Sequence, residues 1–136
     1  MLIMKSINKF LIALTFFLGL VTANAQSKWV APSTAKTIEN PLKCSPDDIN
    51  EGKKIFTQMC VICHGAKGKG DGVAAAALNP KPANYTSKTV QDQTDGELFW
   101  KITNGNAPTA AMAAYKDILT ETQRWQLVAY IRTFKN

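Results

Sequence analysis

The stretch that decides how this chain folds is Cys60-Val61-Ile62-Cys63-His64. It holds two of the three cysteines and the only histidine of the 136 residues. Upstream, Ser45-Pro46-Asp47-Asp48 opens a helix: the serine can cap, proline suits the first turn, and the carboxylates favour the positive end of the dipole. Ile49, Gly52, Ile55, Phe56 and Met59 recur at three- and four-residue steps, giving that helix one apolar face that runs to about Cys60. Downstream, residues 65–93 are rich in Gly, Pro, Asn and Thr, and Pro80 and Pro82 exclude a continuous helix. Ala74 to Leu78 suits one short turn. Thr94-Asp95-Gly96-Glu97 opens a second helix that runs through about Ile102 and stops near Gly105. Thr120-Glu121-Thr122-Gln123 has the capping-box pattern and starts a final helix through Trp125, Leu127, Val128 and Ile131 to about Phe134. There is no alternating strand pattern and no internal repeat. The reading is all-α, with three main helices and so much loop that something besides side chains must fill the centre.

Lys5 and Lys9 precede the apolar run Phe10 to Val21, and Ala23-Asn24-Ala25 supplies a small-x-small pattern. This is the layout of a secretory signal peptide, residues 1–25, cleaved after Ala25. The run falls short of the roughly 20 apolar residues of a spanning helix, so an uncleaved anchor is the lesser alternative. Residues 26–43, punctuated by Pro32 and Pro41, form an extended N-terminal arm that lies on the domain or serves as a linker, with Trp29 and Val30 available to pin it. Residues 44–136 form the domain. Sixteen Lys and Arg against ten Asp and Glu give +6, and loss of Lys5 and Lys9 leaves about +4. With Arg124 and Arg132 as its only arginines, the chain carries no nucleic-acid signal. The expected placement is periplasmic, or otherwise secreted, where thiols are usually bridged or bonded to something else.

C-x-x-C-H marks covalent attachment of a c-type haem. The two thiols add across the two vinyl groups of one haem. The imidazole that follows lies under the iron, where a neutral ring nitrogen is a good ligand. Cys60 and Cys63 are the expected attachment sites and His64 an iron ligand. A redox-active C-x-x-C would sit after a strand in a βαβ unit, and none is visible. A structural zinc site needs four ligands, and this chain offers at best three cysteines and one histidine. A plain disulfide would leave the loops unpacked. Cys44 has no partner once haem takes the other two.

With CVICH stand the amphipathic helix before it, the GAKGKGDG loop after it, LNPKP, DGELFWKITNG, the Met112 loop and the terminal RWQLVAYIRTF. In that order, they make residues 44–136 resemble the monohaem class I cytochrome c family. The resemblance implies a loop-rich cytochrome c fold wrapped around one covalently bound haem c, its iron held by histidine and methionine. Met1 and Met4 fall in the leader, Met59 is tethered beside Cys60, and a second histidine is absent, so Met112 is the expected sixth ligand. The plain alternative is that Met112 fills core space. Ala113 follows it where the family often has proline. The resemblance also implies that a proline carbonyl accepts the other ring N–H of His64. Pro80 and Pro82 are the candidates, with Pro82 favoured. Gly52 and Tyr130 match the family's close helix crossing, with Phe56 and Trp125 packed around it. Leu78, Tyr85, Leu98, Ile102, Tyr115, Leu119 and Leu127 are candidate haem-wall residues, ordinary core packing being the alternative for each.

The function this implies is one-electron transfer, with both axial positions filled and no catalytic residue or enzyme activity expected. Redox partners with acidic docking surfaces would meet Lys67, Lys69, Lys81, Lys101 and Lys116 around the haem edge, unless these lysines serve solubility alone. Two alternatives stand beside it. If Met112 detaches easily, the site acts on peroxide or a small gas. If the arm and Cys44 serve docking, the protein is a fixed electron-transfer subunit of a larger membrane respiratory complex.

Overall fold

The computed structural model of the protein describes residues 29–106 and 112–135; the leader expected at residues 1–25 lies outside them. The helices are α1 (Pro46–Met59), α2 (Val61–His64), α3 (Lys88–Gln91), α4 (Asp95–Asn104) and α5 (Glu121–Arg132), with 3-10 turns at Ser33–Thr37 and Ala75–Ala77. Among the described residues there is no strand. The chain is an all-α fold with three main helices, α1, α4 and α5.

Each main helix starts on a capping box, which satisfies backbone N–H groups that have no partner inside the helix. The Ser45 hydroxyl accepts from the Asp48 N–H at 3.2 Å while the Asp48 carboxylate accepts from the Ser45 N–H at 3.0 Å. Thr94 and Glu97 repeat this at 3.2 and 2.8 Å, and Thr120 and Gln123 at 3.2 and 2.9 Å. Local chemistry thus fixes where all three helices begin.

α1 and α5 form the principal helix pair. They meet at Gly52, where a Cβ would fall on the Gln126 carbonyl oxygen and 2.9 Å from the Tyr130 Cβ. Phe56, one turn on, is fully buried and stands edge-on to Tyr130 at 5.3 Å. Trp125 belongs to the same buried cluster and also stacks on Phe99 of α4 at 3.9 Å, tying α5 to α4. α5 ends at Arg132, two residues before the expected Phe134. The chain turns there, with the Phe134 N–H on the Ile131 carbonyl at 3.2 Å, and sets the Phe134 ring against Phe56 at 5.4 Å.

The long loop closes around the turn that carries His64. The Gly70 N–H bonds the His64 carbonyl at 2.8 Å, and the Tyr85 N–H bonds the Gly68 carbonyl at 2.7 Å. Residues 29–38 lie on the first turn of α4, with Ala31 and Ala35 buried.

Candidate haem-binding site

α1 runs into α2 through Cys60, so both cysteines and the histidine stand on one continuous piece of backbone. The His64 N–H closes the turn on the Cys60 carbonyl at 2.8 Å. Cys60 and Cys63 are both half-buried and form no disulfide with each other. Burial, with the neighbouring Cys63 second, pushes the Cys60 thiol up to about 12.

His64 is buried, and its Nδ1 lies 3.2 Å from the Ala83 carbonyl oxygen. A carbonyl only accepts, so Nδ1 carries the proton and Nε2 the lone pair. Burial lowers the pKa of the ring, partly opposed by the Ala83 bond, which favours the neutral form that binds metals. The partner is therefore not Pro82, as expected, but the next residue. The Pro82 carbonyl lies against Gly70 instead, where a Cβ would collide with it. Tyr85 stacks on the imidazole at 4.4 Å and sets its hydroxyl 3.2 Å from Nε2, a contact that coordination would replace.

These groups open onto a cavity of about 430 Å³, whose wall includes Cys60, Cys63, His64, Pro82 and Met112. Ligand-sized sites fall in this range and are mainly apolar. Of the wall residues expected from sequence, Leu78, Tyr85, Leu98, Ile102, Tyr115 and Leu127 line it; Leu119 is buried in the core away from it. Met112 is half-buried, and its carbonyl accepts from the Asn106 N–H at 2.9 Å, which holds this end of the loop against the end of α4. The residues present suit a haem: two thiols, one neutral imidazole nitrogen and one thioether sulfur share an apolar space. Among the described residues, no three His, Cys, Asp or Glu side chains converge, so the four-ligand zinc alternative has no site there.

Several supporting residues escaped the sequence reading. The buried Gln91 side chain donates to the Tyr85 carbonyl at 2.6 Å and to the Ile131 carbonyl at 3.1 Å. Arg132 donates to the Gln91 carbonyl at 3.0 Å and to the Asp95 carboxylate at 2.7 Å. This relay holds residues 83–85, and with them the oxygen that orients His64, against the end of α5. Val90, Gln93, Ile131 and Trp29 also reach the cavity wall. Two lysines expected at the haem edge are engaged internally. The Lys81 ammonium bonds the Ala75 and Ala76 carbonyls at 2.8 and 3.1 Å, and that of Lys101 bonds Gln93 at 2.6 Å.

An all-α, loop-rich domain closed around one apolar cavity, with C-x-x-C-H on its wall, has the architecture of a class I c-type cytochrome. The profile of the family described as cytochrome c matches residues 49–135, and the chain belongs to that family. Membership brings covalently bound haem c. Among solved structures, a chain of the Kuenenia stuttgartiensis reducing HAO-like protein complex Kustc0457/Kustc0458 is similar. It has a TM-score of 0.63 and 26% identity, over 73% of this chain and 50% of that one. This chain therefore spans about half the length of that relative. The KustC0563 c-type cytochrome is similar with a TM-score of 0.54 and 26% identity, over 62% of this chain and 98% of that one. No curated protein sequence matches the chain.

Proposed function

We propose that the protein is a one-electron carrier working outside the cytoplasmic membrane, periplasmic or otherwise secreted. Cys60 and Cys63 hold haem c through thioether bonds, and His64 and Met112 are the axial ligands. The observation that carries this reading is that all four side chains line one cavity. Haem c supplies the Fe(II)/Fe(III) couple. The chain supplies its setting. The Nδ1 proton of His64 on the Ala83 carbonyl fixes the ring and raises its donor strength. The neutral sulfur of Met112 favours the reduced state relative to a stronger donor. Tyr115, Leu127 and Ile131 keep water from the cavity.

The test is the oxidised absorption spectrum of the protein expressed with a haem-attachment system. The weak far-red band of sulfur–iron ligation is expected, and Met112→Ala abolishes it. Covalent haem without that band in the wild type overturns the His64/Met112 assignment and puts ligand binding at an open iron in its place.

Partners are other redox proteins. Lys67, Lys69 and Lys116 are exposed and offer positive charge to an acidic docking surface. The second reading is a fixed place in a larger redox assembly, favoured by the likeness to a chain of a reducing HAO-like complex. Co-purification with such an assembly supports it; a freely soluble monomer supports the shuttle.

A further inference from the structure

Residues 29–38 precede the span matched to the family, residues 49–135, yet one of them, Trp29, stands in the wall of the cavity. Leu98, Gln93 and Lys101 of the same wall come from α4 and the turn before it. The Lys101 ammonium lies 5.1 Å from the centroid of the Trp29 ring and 2.6 Å from the Gln93 side-chain oxygen, so the ring, the ammonium and α4 are held as one unit. The arm that delivers Trp29 is anchored by Ala35, which is only 1% exposed. It passes so close to Gly96 that a Cβ there would fall on the Ala35 carbonyl oxygen and 2.6 Å from that of Ile38.

We propose that this arm is an integral wall of the haem cavity and that Trp29 is a positioning residue that keeps water from that side and so raises the reduction potential. The inference rests on the haem reading above. The oxidised centre carries one more positive charge than the reduced one, and apolar surroundings penalise that charge. The Lys101 ammonium, held at the same wall, adds to the penalty. Removing the ring admits water, which stabilises the oxidised state and screens Lys101. Both effects lower the potential.

The test uses the full chain, matured with haem, as wild type, Trp29→Ala and Gly96→Ala, with covalent haem checked by mass. Alanine is the better helix former, so Gly96→Ala spares α4 while its Cβ displaces the arm. Two quantities are read: the reduction potential, and the rate of tryptic cleavage after Lys36, an exposed residue in the arm. Gly96→Ala should raise the cleavage rate by about tenfold or more, since proteolysis tracks the open population. Both variants should lower the potential. Potentials unchanged or raised in both overturn the proposal. So does a fall confined to Trp29→Ala when Gly96→Ala has released the arm, and so does an unchanged cleavage rate in Gly96→Ala. A wild type without covalent haem sinks the proposed function instead, and the cleavage ratio then decides by itself whether the arm is docked.

Discussion

Replacing Gln91 with leucine tests whether the relay from α5 holds the His64 side of the cavity together. The side chain is buried and donates to two carbonyls, those of Tyr85 at 2.6 Å and Ile131 at 3.1 Å. Leucine has nearly the same reach and no donor. Each carbonyl left without its donor costs about 1–3 kcal/mol. Greater apolar burial by leucine offsets about 1–2 kcal/mol. For two carbonyls the net loss spans about 0–5 kcal/mol and centres near about 2.5 kcal/mol, read as a fall in the urea midpoint of the haem-loaded protein at constant slope. Gln91→Glu is the control: it has no donor for either carbonyl, so it should also destabilise. The variant has a second signature. Loosening residues 83–85 weakens the bond from His64 to the Ala83 carbonyl, lowers the donor strength of the ring and so raises the potential. The sign is opposite to that expected for Trp29→Ala. A loss below about 0.5 kcal/mol, the range of ordinary surface substitutions, together with an unmoved potential, would refute the reasoning.

Gly52→Ala sets a helix-propensity gain of about 1 kcal/mol against overlap with the Gln126 backbone. Backbone cannot swing aside as a side-chain tip can, so overpacking of about 1–3 kcal/mol or more wins and the melting temperature falls; an unchanged or higher value contradicts the close crossing. The double variant Cys60→Ala/Cys63→Ala should give a denatured chain with the mass of the polypeptide alone, whereas the wild type retains haem through denaturation; equal masses remove the thioether assignment. The Asp48 carboxyl is held below the usual carboxylate range, first by the Ser45 side chain and then by its backbone N–H. A lowered folded-state pKa adds stability that is present above about pH 4 and lost as pH falls through the folded value. The melting-temperature advantage of wild type over Asp48→Asn should therefore shrink between about pH 5 and pH 2, and a constant difference argues against it.

What could be read from the sequence was local. Ser45, Thr94 and Thr120 announce their helices because a cap is a bargain between a side chain and backbone three residues away. CVICH is legible for the same reason, since its chemistry lies within five residues. The missed elements depend on distant partners. α3 has four residues and little periodicity to show, and Gln91 within it is fixed by the Ile131 carbonyl, forty residues on. The histidine's acceptor was misplaced by one residue because composition does not say which way a carbonyl turns. In the fold the Pro82 oxygen lies against Gly70 and the Ala83 oxygen faces His64. For the arm, Val30, also expected to pin it, is exposed; Trp29 was visible as an anchor, but the arm's seat was not. The signal was Gly96, a glycine in the first turn of an amphipathic helix, where no turn requires it.

The internal bonds of Lys81 and Lys101 bear on how an anionic partner would be held rather than on how fast it is found. Long-range attraction follows charge, and a lysine bonded to neutral carbonyl or amide oxygens keeps its positive charge. The ionic-strength dependence of the association rate would therefore report on Lys81 and Lys101 together with Lys67, Lys69 and Lys116. At contact the two groups differ: Lys81 and Lys101 would have to give up an internal bond to reach a partner's carboxylate.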